Sequence, residues 1–269
     1  MSNPNHYEVY AIRYAENTTR TRRDSFIFDA THDVPHDIDY FIWVIRNDAR
    51  TILVDTGFDS GEGARRDRPI FMEPAQALAE IGIVPESVDT AVITHLHYDH
   101  AGGLEQFPNA RFHLQEAEMV YATGPCMCHQ VLQKPFTAEH VCQMVRRVYE
   151  GKVAFHNGDA EIAPGVSVHK VGGHSRGLQA VRVETAHGPL VLASDAAHFY
   201  ENYETRNPFP LVVDVADMLA GFDLLARLAG ERKLVIPGHD PLVRQKFPAA
   251  FENARPDVRR LDLGIIERK

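Results

Sequence analysis

The sequence predicts an α/β fold in which two β-sheets pack face to face and helices cover their outer sides. Short apolar segments with strand character alternate with segments of helical periodicity. This order occurs in two similar blocks, one on each side of residues 123–151, and it favours a layered sandwich. The chain has 269 residues, no internal repeat and no recognisable linker, so we expect a single domain spanning residues 1–269.

The first block opens with a β-hairpin. Two apolar runs flank Asn47-Asp48, and the second run ends in Asp55-Thr56-Gly57. Later in the block, Ala, Leu and Ile recur at helical spacing, and a short strand then leads into a segment rich in His and Asp. The elements predicted in this block are strands at 40–46, 51–55, 90–93 and 110–114, and helices at 74–82 and 115–122.

Residues 123–151 differ in composition from both blocks. They hold all three cysteines and an amphipathic segment near 138–150, and they predict a helical insertion. The second block follows this segment. Its predicted elements are strands at 153–155, 166–171, 178–185 and 189–194, a helix at 214–229 and a last strand at 233–236.

Composition excludes several classes of function. The net charge is −9, which argues against a nucleic-acid partner. No apolar stretch reaches the roughly 18–20 residues of a membrane span, so no membrane partner is expected. The three cysteines, Cys126, Cys128 and Cys142, are odd in number and clustered, which argues against a disulfide framework and fits a cytoplasmic location. Cys126-Met-Cys128-His129 is unlike a structural zinc site, because only Cys142 or His140 could complete its ligand set.

Residues 94–103 read Thr-His-Leu-His-Tyr-Asp-His-Ala-Gly-Gly. Four potential metal ligands, His95, His97, Asp99 and His100, lie within six positions directly after a predicted strand. Histidine and aspartate are costly to bury unless something pairs with them. Imidazole and carboxylate together suit zinc and related cations. The segment therefore predicts a metal-dependent enzyme.

Three later residues stand out because each ends an apolar strand beside small or turn-forming residues. His174 lies in Val-Gly-Gly-His-Ser, Asp195 follows Leu-Val-Leu-Ala-Ser, and His239 follows Leu-Val-Ile-Pro-Gly. Polar residues just beyond strand ends are where active sites are assembled on a rigid scaffold. We therefore expect all three to join the 95–100 segment in one site.

Taken together, this pattern resembles the metallo-β-lactamase superfamily, and within it the N-acyl homoserine lactonase and 4-pyridoxolactonase group. The resemblance covers about residues 38–245, and Asp55-Thr56-Gly57 matches the Asp-Thr-Gly at the end of an early strand. It implies an αββα sandwich of two mixed β-sheets with helices on the outer faces. It also implies two divalent metal ions. Zinc is the default metal, and manganese, iron or cobalt suit the same ligands.

The resemblance assigns roles to individual residues. His95, His97 and His174 would bind the first metal, Asp99, His100 and His239 would bind the second, and Asp195 would bridge the two. Asp55 is the best candidate to orient an imidazole from outside the ligand set.

The activity implied is the opening of a lactone ring, in an N-acyl homoserine lactone or another small lactone, by a metal-bound hydroxide. Asp99 would also shuttle a proton to the leaving group. The lactonases carry a tyrosine three positions after the bridging aspartate, and this chain has His198 there. An imidazole can donate a hydrogen bond or act as a general acid, so His198 is a second catalytic candidate. The alternative interpretation is that His198 only packs against the site.

Several alternatives stay open. The same site could hydrolyse another cyclic amide or ester, or a β-lactam. A mononuclear iron dioxygenase acting on persulfides would leave His100 and His239 without a role. The partner is expected to be a small-molecule substrate, and a homodimer is left open. We expect the substrate pocket to be walled by residues near Arg20–Phe28, by the 123–151 segment and by the loop Asn202–Leu211.

Overall fold

The structure, a computed structural model, describes residues 5–266, so residues 1–4 and 267–269 of the predicted domain lie outside it. Its described strands form two sheets. In chain order the strands are β1 (Glu8–Asn17), β2 (Ile38–Arg46), β3 (Thr51–Val54), β4 (Thr90–Val92), β5 (Arg111–Gln115), β6 (Val153–His156), β7 (Ala160–Ala163), β8 (Val166–Lys170), β9 (Gln179–Thr185), β10 (Gly188–Ser194), β11 (Val235–Pro237) and β12 (Val258–Arg260).

Both sheets are mixed. The larger sheet has the order β12-β1-β2-β3-β4-β5-β6, in which β12 to β3 are antiparallel neighbours and β3 to β6 are parallel neighbours. The smaller sheet has the order β11-β10-β9-β8-β7. Only the β10–β11 pair is parallel within it.

The helices lie on the outer faces of the two sheets. Within the described residues the α-helices are α1 (Ser60–Arg66), α2 (Pro74–Ala77), α3 (Glu116–Thr123), α4 (Gln130–Gln133), α5 (Ala138–Tyr149), α6 (Tyr200–Glu204), α7 (Val215–Ala229) and α8 (Leu242–Lys246). Across residues 5–266, no helix is long and apolar enough to cross a membrane.

Side-chain alternation along the strands explains the layers. In β2, Phe41, Trp43 and Ile45 point into the core between the two sheets. The alternate residues Ile42 and Val44 point to the opposite face, where helices cover the larger sheet. Because successive strand residues face opposite sides, a strand that is buried on both faces is apolar throughout. The smaller sheet is covered in the same way by α7, whose buried residues pack against β9, β10 and β11.

The predicted fold class is confirmed, with several differences in detail. Strands β1, β7 and β12 were not predicted from the sequence, and the strand at 233–236 is not the last, because β12 follows it and pairs with β1. The predicted helix at 74–82 is α2 followed by a 3-10 turn, Leu78–Ile81, and it ends at the left-handed Gly82. The 123–151 segment is helical, with α4 and α5, and its status as an insertion stays a prediction.

Candidate metal centre

All seven predicted ligands meet at one end of the sandwich. His95, His97, Asp99 and His100 lie in the loop after β4, in the larger sheet. The other three follow strands of the smaller sheet, with His174 after β8, Asp195 after β10 and His239 after β11. The site is therefore built where the carboxyl ends of strands from both sheets come together.

Asp195 lies at the centre of the cluster. Its Oδ1 is 3.0 Å from His239 Nε2 and 3.2 Å from His100 Nε2. Its Oδ2 is 3.2 Å from His174 Nε2 and 3.8 Å from His95 Nε2. The two oxygens of one carboxylate thus face two different sets of imidazoles.

The possible donor atoms fall into groups in which all atoms lie within 4.8 Å of one another. The first two groups together contain every ligand that the resemblance implies. The groups are His95, His97, His174 and Asp195; Asp99, His100 and His239; and Asp195, His198 and His239.

The cluster fits divalent cations. Nε2 of His95, Nε2 of His100 and Oδ1 of Asp195 are buried and have no hydrogen-bond partner among the described residues. A buried polar atom without a partner costs about 1–3 kcal/mol, so three such atoms in one small space call for a ligand between them. Imidazole and carboxylate donors are those that zinc and related metals take.

Oxygen atoms outside the cluster hold the imidazoles in orientation. Nδ1 of His174 is 2.7 Å from the carbonyl oxygen of Leu211, and Nδ1 of His239 is 2.9 Å from that of Asp39. A carbonyl oxygen can only accept, so each Nδ1 carries the proton and each Nε2 presents its lone pair to the site. The backbone therefore selects the tautomer that can bind a metal.

Asp55 has the position expected of it. Its Oδ2 is 2.7 Å from His100 Nδ1, and its carboxylate also accepts hydrogen bonds from the backbone and the hydroxyl of Thr94. The Thr94 hydroxyl in turn contacts Ser194 and His95. Asp55 and Ser194 have φ angles of 61° and 48°. Such backbone strain in non-glycine residues is typical of functional sites.

Burial and neighbouring charges favour the metal-binding protonation state at His95, His97 and Asp195, whereas Asp195 and Asp99 raise the pKa of His100 and His239. Burial holds the pKa of His95 and His97 well below the usual value, and neighbouring imidazoles lower it further. Burial raises the pKa of Asp195, but the surrounding imidazoles, His198 first, outweigh burial and hold it well below the usual value. Neutral imidazoles and an ionised carboxylate are the forms that coordinate cations.

Glu118, which the sequence analysis did not single out, joins two of the ligand segments. It lies in α3 and is fully buried. Its Oε1 accepts a hydrogen bond from the backbone N–H of Leu96, at 2.9 Å, between two ligands. Its Oε2 accepts from the Ser175 hydroxyl at 2.7 Å and from the Gly177 N–H at 2.9 Å, beside His174. A Cβ on Gly177 would lie 2.1 Å from the Glu118 nitrogen, so this close approach requires glycine.

His198 lies against the central carboxylate. Its Nε2 is 3.0 Å from Asp195 Oδ2, and its ring stacks on Phe209 with centroids 3.6 Å apart and planes within 2°. Burial lowers the pKa of His198 to about 3. Tyr200 and Tyr203, which follow His198 closely in the sequence, pack in the core between the sheets.

The site opens beside Asp99. The Asp99 side chain is 11% exposed, whereas each of the other six predicted ligands is at most 4% exposed. Near this opening, the hydroxyls of Tyr40 and Tyr98 are 3.1 Å apart. The Tyr40 ring packs against His239 with centroids 5.3 Å apart.

Each segment expected to wall the pocket contributes a side chain near the site. Phe136, from the 123–151 segment, packs edge-on against His97 with centroids 4.6 Å apart. Phe209, from the Asn202–Leu211 loop, covers His198, and the Arg20 guanidinium lies 5.1 Å from the centroid of the Phe209 ring. The cysteines are free, and within residues 5–266 they belong to no group of metal-binding residues.

With this geometry in place, comparison with known proteins identifies the family. A family model for the metallo-beta-lactamase superfamily matches residues 39–239, which is most of the chain and contains every predicted ligand. The chain belongs to the metallo-beta-lactamase superfamily. The match begins at Asp39, whose carbonyl orients His239, and it ends at His239 itself.

Curated members of the superfamily are similar to this chain over most of its length. An N-acyl homoserine lactonase from Bacillus cereus is 28% identical over 218 residues, covering 75% of this chain and 78% of that protein. A probable metallo-hydrolase from Mycobacterium tuberculosis is 26% identical over 229 residues, covering 74% of each. These relatives support the expected enzyme class, a metal-dependent hydrolase.

Solved structures of superfamily members share the fold. A quorum-quenching N-acyl homoserine lactone lactonase superposes with a TM-score of 0.74 at 22% identity, over 89% of this chain and 95% of that one. A dizinc quorum-quenching lactonase, AidC, gives a TM-score of 0.70 at 16% identity, over 89% of this chain and 90% of that one.

Proposed function

We propose that this protein is a dinuclear metal-dependent hydrolase that opens the lactone ring of a small molecule. The observation that carries the proposal is the position of Asp195, whose two carboxylate oxygens face two separate sets of imidazoles. One cation would need only one of those sets. The names of the relatives support lactones as the substrate class.

In this proposal His95, His97 and His174 hold one cation, Asp99, His100 and His239 hold the other, and Asp195 bridges them. When bound, divalent ions would polarise a substrate carbonyl and lower the pKa of water to about 7. Zinc is the metal we favour, because the donor set is nitrogen and oxygen without sulfur. Manganese, iron or cobalt would fit the same donors.

The chain's own residues contribute orientation and proton transfer. Asp55, Asp39 and Leu211 fix three imidazoles through oxygen atoms. Asp99 is the ligand nearest the opening, so its carboxylate is the one placed to carry a proton to the leaving oxygen. His198 is neutral, and we propose that its single N–H, at Nε2, donates to Asp195 and passes this hydrogen bond to the substrate carbonyl oxygen as the reaction proceeds.

The competing redox reaction predicts a different metal content. A mononuclear iron dioxygenase needs one set of ligands, and the second set, with Asp99, His100 and His239 close together, would have no purpose. Hydrolysis of another cyclic amide or ester would use the same two cations. The substrate therefore has to be assigned by assay.

The test combines metal analysis with a substrate panel. We expect two metal ions per chain by plasma mass spectrometry, and ring opening that releases acid in a pH-indicator assay over lactones of varied ring and acyl chain. Asp195→Ala should lose metal and activity together, whereas His129→Ala, at an exposed histidine outside the site, should lose neither. One iron per chain with no lactone turnover would refute the proposal, as would near-normal turnover in metal-depleted enzyme.

A further inference from the structure

Arg20 is partly buried beside Phe209, which covers His198, and it forms no ion pair with a carboxylate among residues 5–266. Its Nη2 donates to the backbone carbonyl of Asp24. Its Nε is buried and has no hydrogen-bond partner in the part of the chain that the structure describes. A buried charge is costly unless it is paired. The guanidinium therefore has an unused donor and no carboxylate in contact with it.

Nearby arginines show that this arrangement is not general in the molecule. Arg22, two residues along the chain, forms ion pairs with Asp29 at 2.6 Å and with Glu201 at 2.5 Å. Arg13 pairs with Asp257 at 2.7 Å. The chain thus supplies carboxylates to arginines on either side of Arg20.

Contacts between rings place Arg20 close to the reacting centre. Asp195 contacts His198, and His198 stacks on Phe209. His198 covers one face of the Phe209 ring, and the Arg20 guanidinium lies 5.1 Å from the centroid of that ring. Arg20 is therefore separated from the bridging carboxylate by two stacked rings.

Tyrosines close to Asp99 act electrostatically on Arg20. Burial lowers the pKa of Arg20, and the ionisable groups that act on it further are Tyr40, Asp24, Arg68 and Tyr98. Tyr40 and Tyr98 form the hydroxyl pair near the opening. Asp99 in turn acts on the pKa of both tyrosines.

Arg68 adds a second positive charge near Arg20, because it acts electrostatically on Arg20 and on Tyr40. Its Nη1 donates to the carbonyl of Asp67 at 2.9 Å, and it forms no ion pair with a carboxylate among residues 5–266.

We propose that Arg20, supported by Arg68, forms a subsite for a carboxylate group carried by the substrate. A planar guanidinium pairs with a carboxylate through charge-assisted hydrogen bonds, and such pairs are stronger than neutral ones. The inference rests on the proposed lactonase function, with the lactone carbonyl at the metal centre and the carboxylate at Arg20. N-acyl homoserine lactones with plain alkyl chains are uncharged. The preferred substrate is therefore a lactone whose side chain ends in a carboxylate.

The test uses two lactones that differ only in charge. N-succinyl homoserine lactone ends in a carboxylate, and its carboxamide analogue has the same shape and no charge. We expect wild-type kcat/KM to be about 10- to 100-fold higher for the carboxylate lactone than for the carboxamide lactone. In Arg20→Gln, this ratio of the two kcat/KM values should be close to one. Arg23→Gln removes an exposed arginine paired with Asp33, and it should keep the wild-type ratio. A wild-type ratio near one, or an unchanged ratio in Arg20→Gln, would overturn the subsite.

A binding measurement separates this inference from the proposed activity. The ring-opened acids, made by alkaline hydrolysis, are titrated into metal-loaded enzyme by calorimetry. If neither lactone is turned over but the succinyl acid binds wild type at least about tenfold more tightly than the ring-opened carboxamide does, and Arg20→Gln removes that difference, the subsite stands and the lactonase function fails. If both lactones are opened equally fast in both proteins, the function stands and the subsite fails.

Thermal melts check that each variant folds. If Arg20→Gln does not fold, Arg20→Lys and Arg68→Gln replace it in the same assays. Lysine keeps the charge but lacks the planar fork, so we expect the substrate ratio to fall about threefold or more in each. Ratios equal to wild type in both of these variants would overturn the proposal.

Discussion

Replacing Glu118 with glutamine should weaken both the fold and its affinity for metal. Glutamate offers two acceptor oxygens, whereas glutamine offers one oxygen and an amide group that only donates. If the glutamine oxygen still accepts the hydrogen bonds from Ser175 and Gly177, the glutamine NH2 group faces the N–H of Leu96. Two donors then point at each other. The reverse orientation leaves Ser175 and Gly177 unsatisfied instead.

The size of the effect follows from the number of donors that lose a partner. In the orientation that keeps Ser175 and Gly177 bonded, one backbone N–H loses its acceptor. Glu118→Gln should therefore lower the free energy of unfolding by about 1–3 kcal/mol. Glu118→Ala leaves two backbone N–H groups and a hydroxyl without their hydrogen-bond acceptor. It should cost more, about 3–5 kcal/mol, because relief of the buried charge offsets part of the loss. The Leu96 N–H that loses its acceptor lies between His95 and His97. Zinc affinity should therefore fall about 10- to 100-fold, as for other residues that orient metal ligands.

Urea denaturation of the metal-free protein measures the stability, and competition with a zinc chelator measures the affinity. Glu116→Gln is the matched control, because Glu116 lies in the same first turn of α3 but is exposed. If Glu118→Gln matches Glu116→Gln in urea midpoint and in zinc affinity, the linkage of the two ligand segments through this carboxylate has no energetic consequence and the reasoning is wrong.

Three further predictions concern single side chains. Asp55→Asn removes the carboxylate 2.7 Å from His100 Nδ1 and should weaken zinc binding about 10- to 100-fold in the chelator assay; unchanged affinity would contradict the orienting role. His198→Ala should lower kcat about 10- to 100-fold with metal content unchanged by mass spectrometry, and an unchanged kcat would return His198 to packing alone. Burial lowers the pKa of His113 to about 4, from about 6.5 in the unfolded chain, so the neutral ring is favoured in the fold. The stability of wild type should therefore fall as the pH drops from 6.5 to 4, by about 2 kcal/mol more than that of His113→Gln in urea titrations at each pH; parallel curves would show that His113 does not contribute.

The elements that the sequence predicted best are those whose pattern is dictated by burial on two faces. β2 is apolar on both faces because it lies between a helical layer and the second sheet, and the turn at Asn47 marks its end. β1 also lies inside the larger sheet, yet Arg13 and Glu16 interrupt its apolar pattern. β12 has three residues, two of them arginines, and only its pairing with β1 makes it a strand. Such strands are defined by their partner, which a single sequence does not display.

The same contrast applies within the site. The predicted ligands could be singled out because each follows a strand, and strand ends converge in a layered fold. Glu118 could not, since its hydrogen bonds reach Leu96 and Ser175, at separations of 22 and 57 residues. The one local signal was a charged residue at a buried helical position, one turn before Tyr121 and Ala122. Phe209 and His198 stack without any pattern that links them in the sequence.

This division between strand ends and connecting segments bears on how substrate choice should be studied. Every predicted metal ligand lies in a segment that follows a β-strand, so the ligand pattern reflects the shared fold of the superfamily. The side chains at the mouth, Arg20, Phe136 and Phe209, come from connecting segments that can change without moving the ligands. An identity of 28% with a lactonase is thus compatible with the same reaction on a different side chain. Substitutions at these three positions, with the ligands left intact, should change the ratio of activities between lactones more than the metal content.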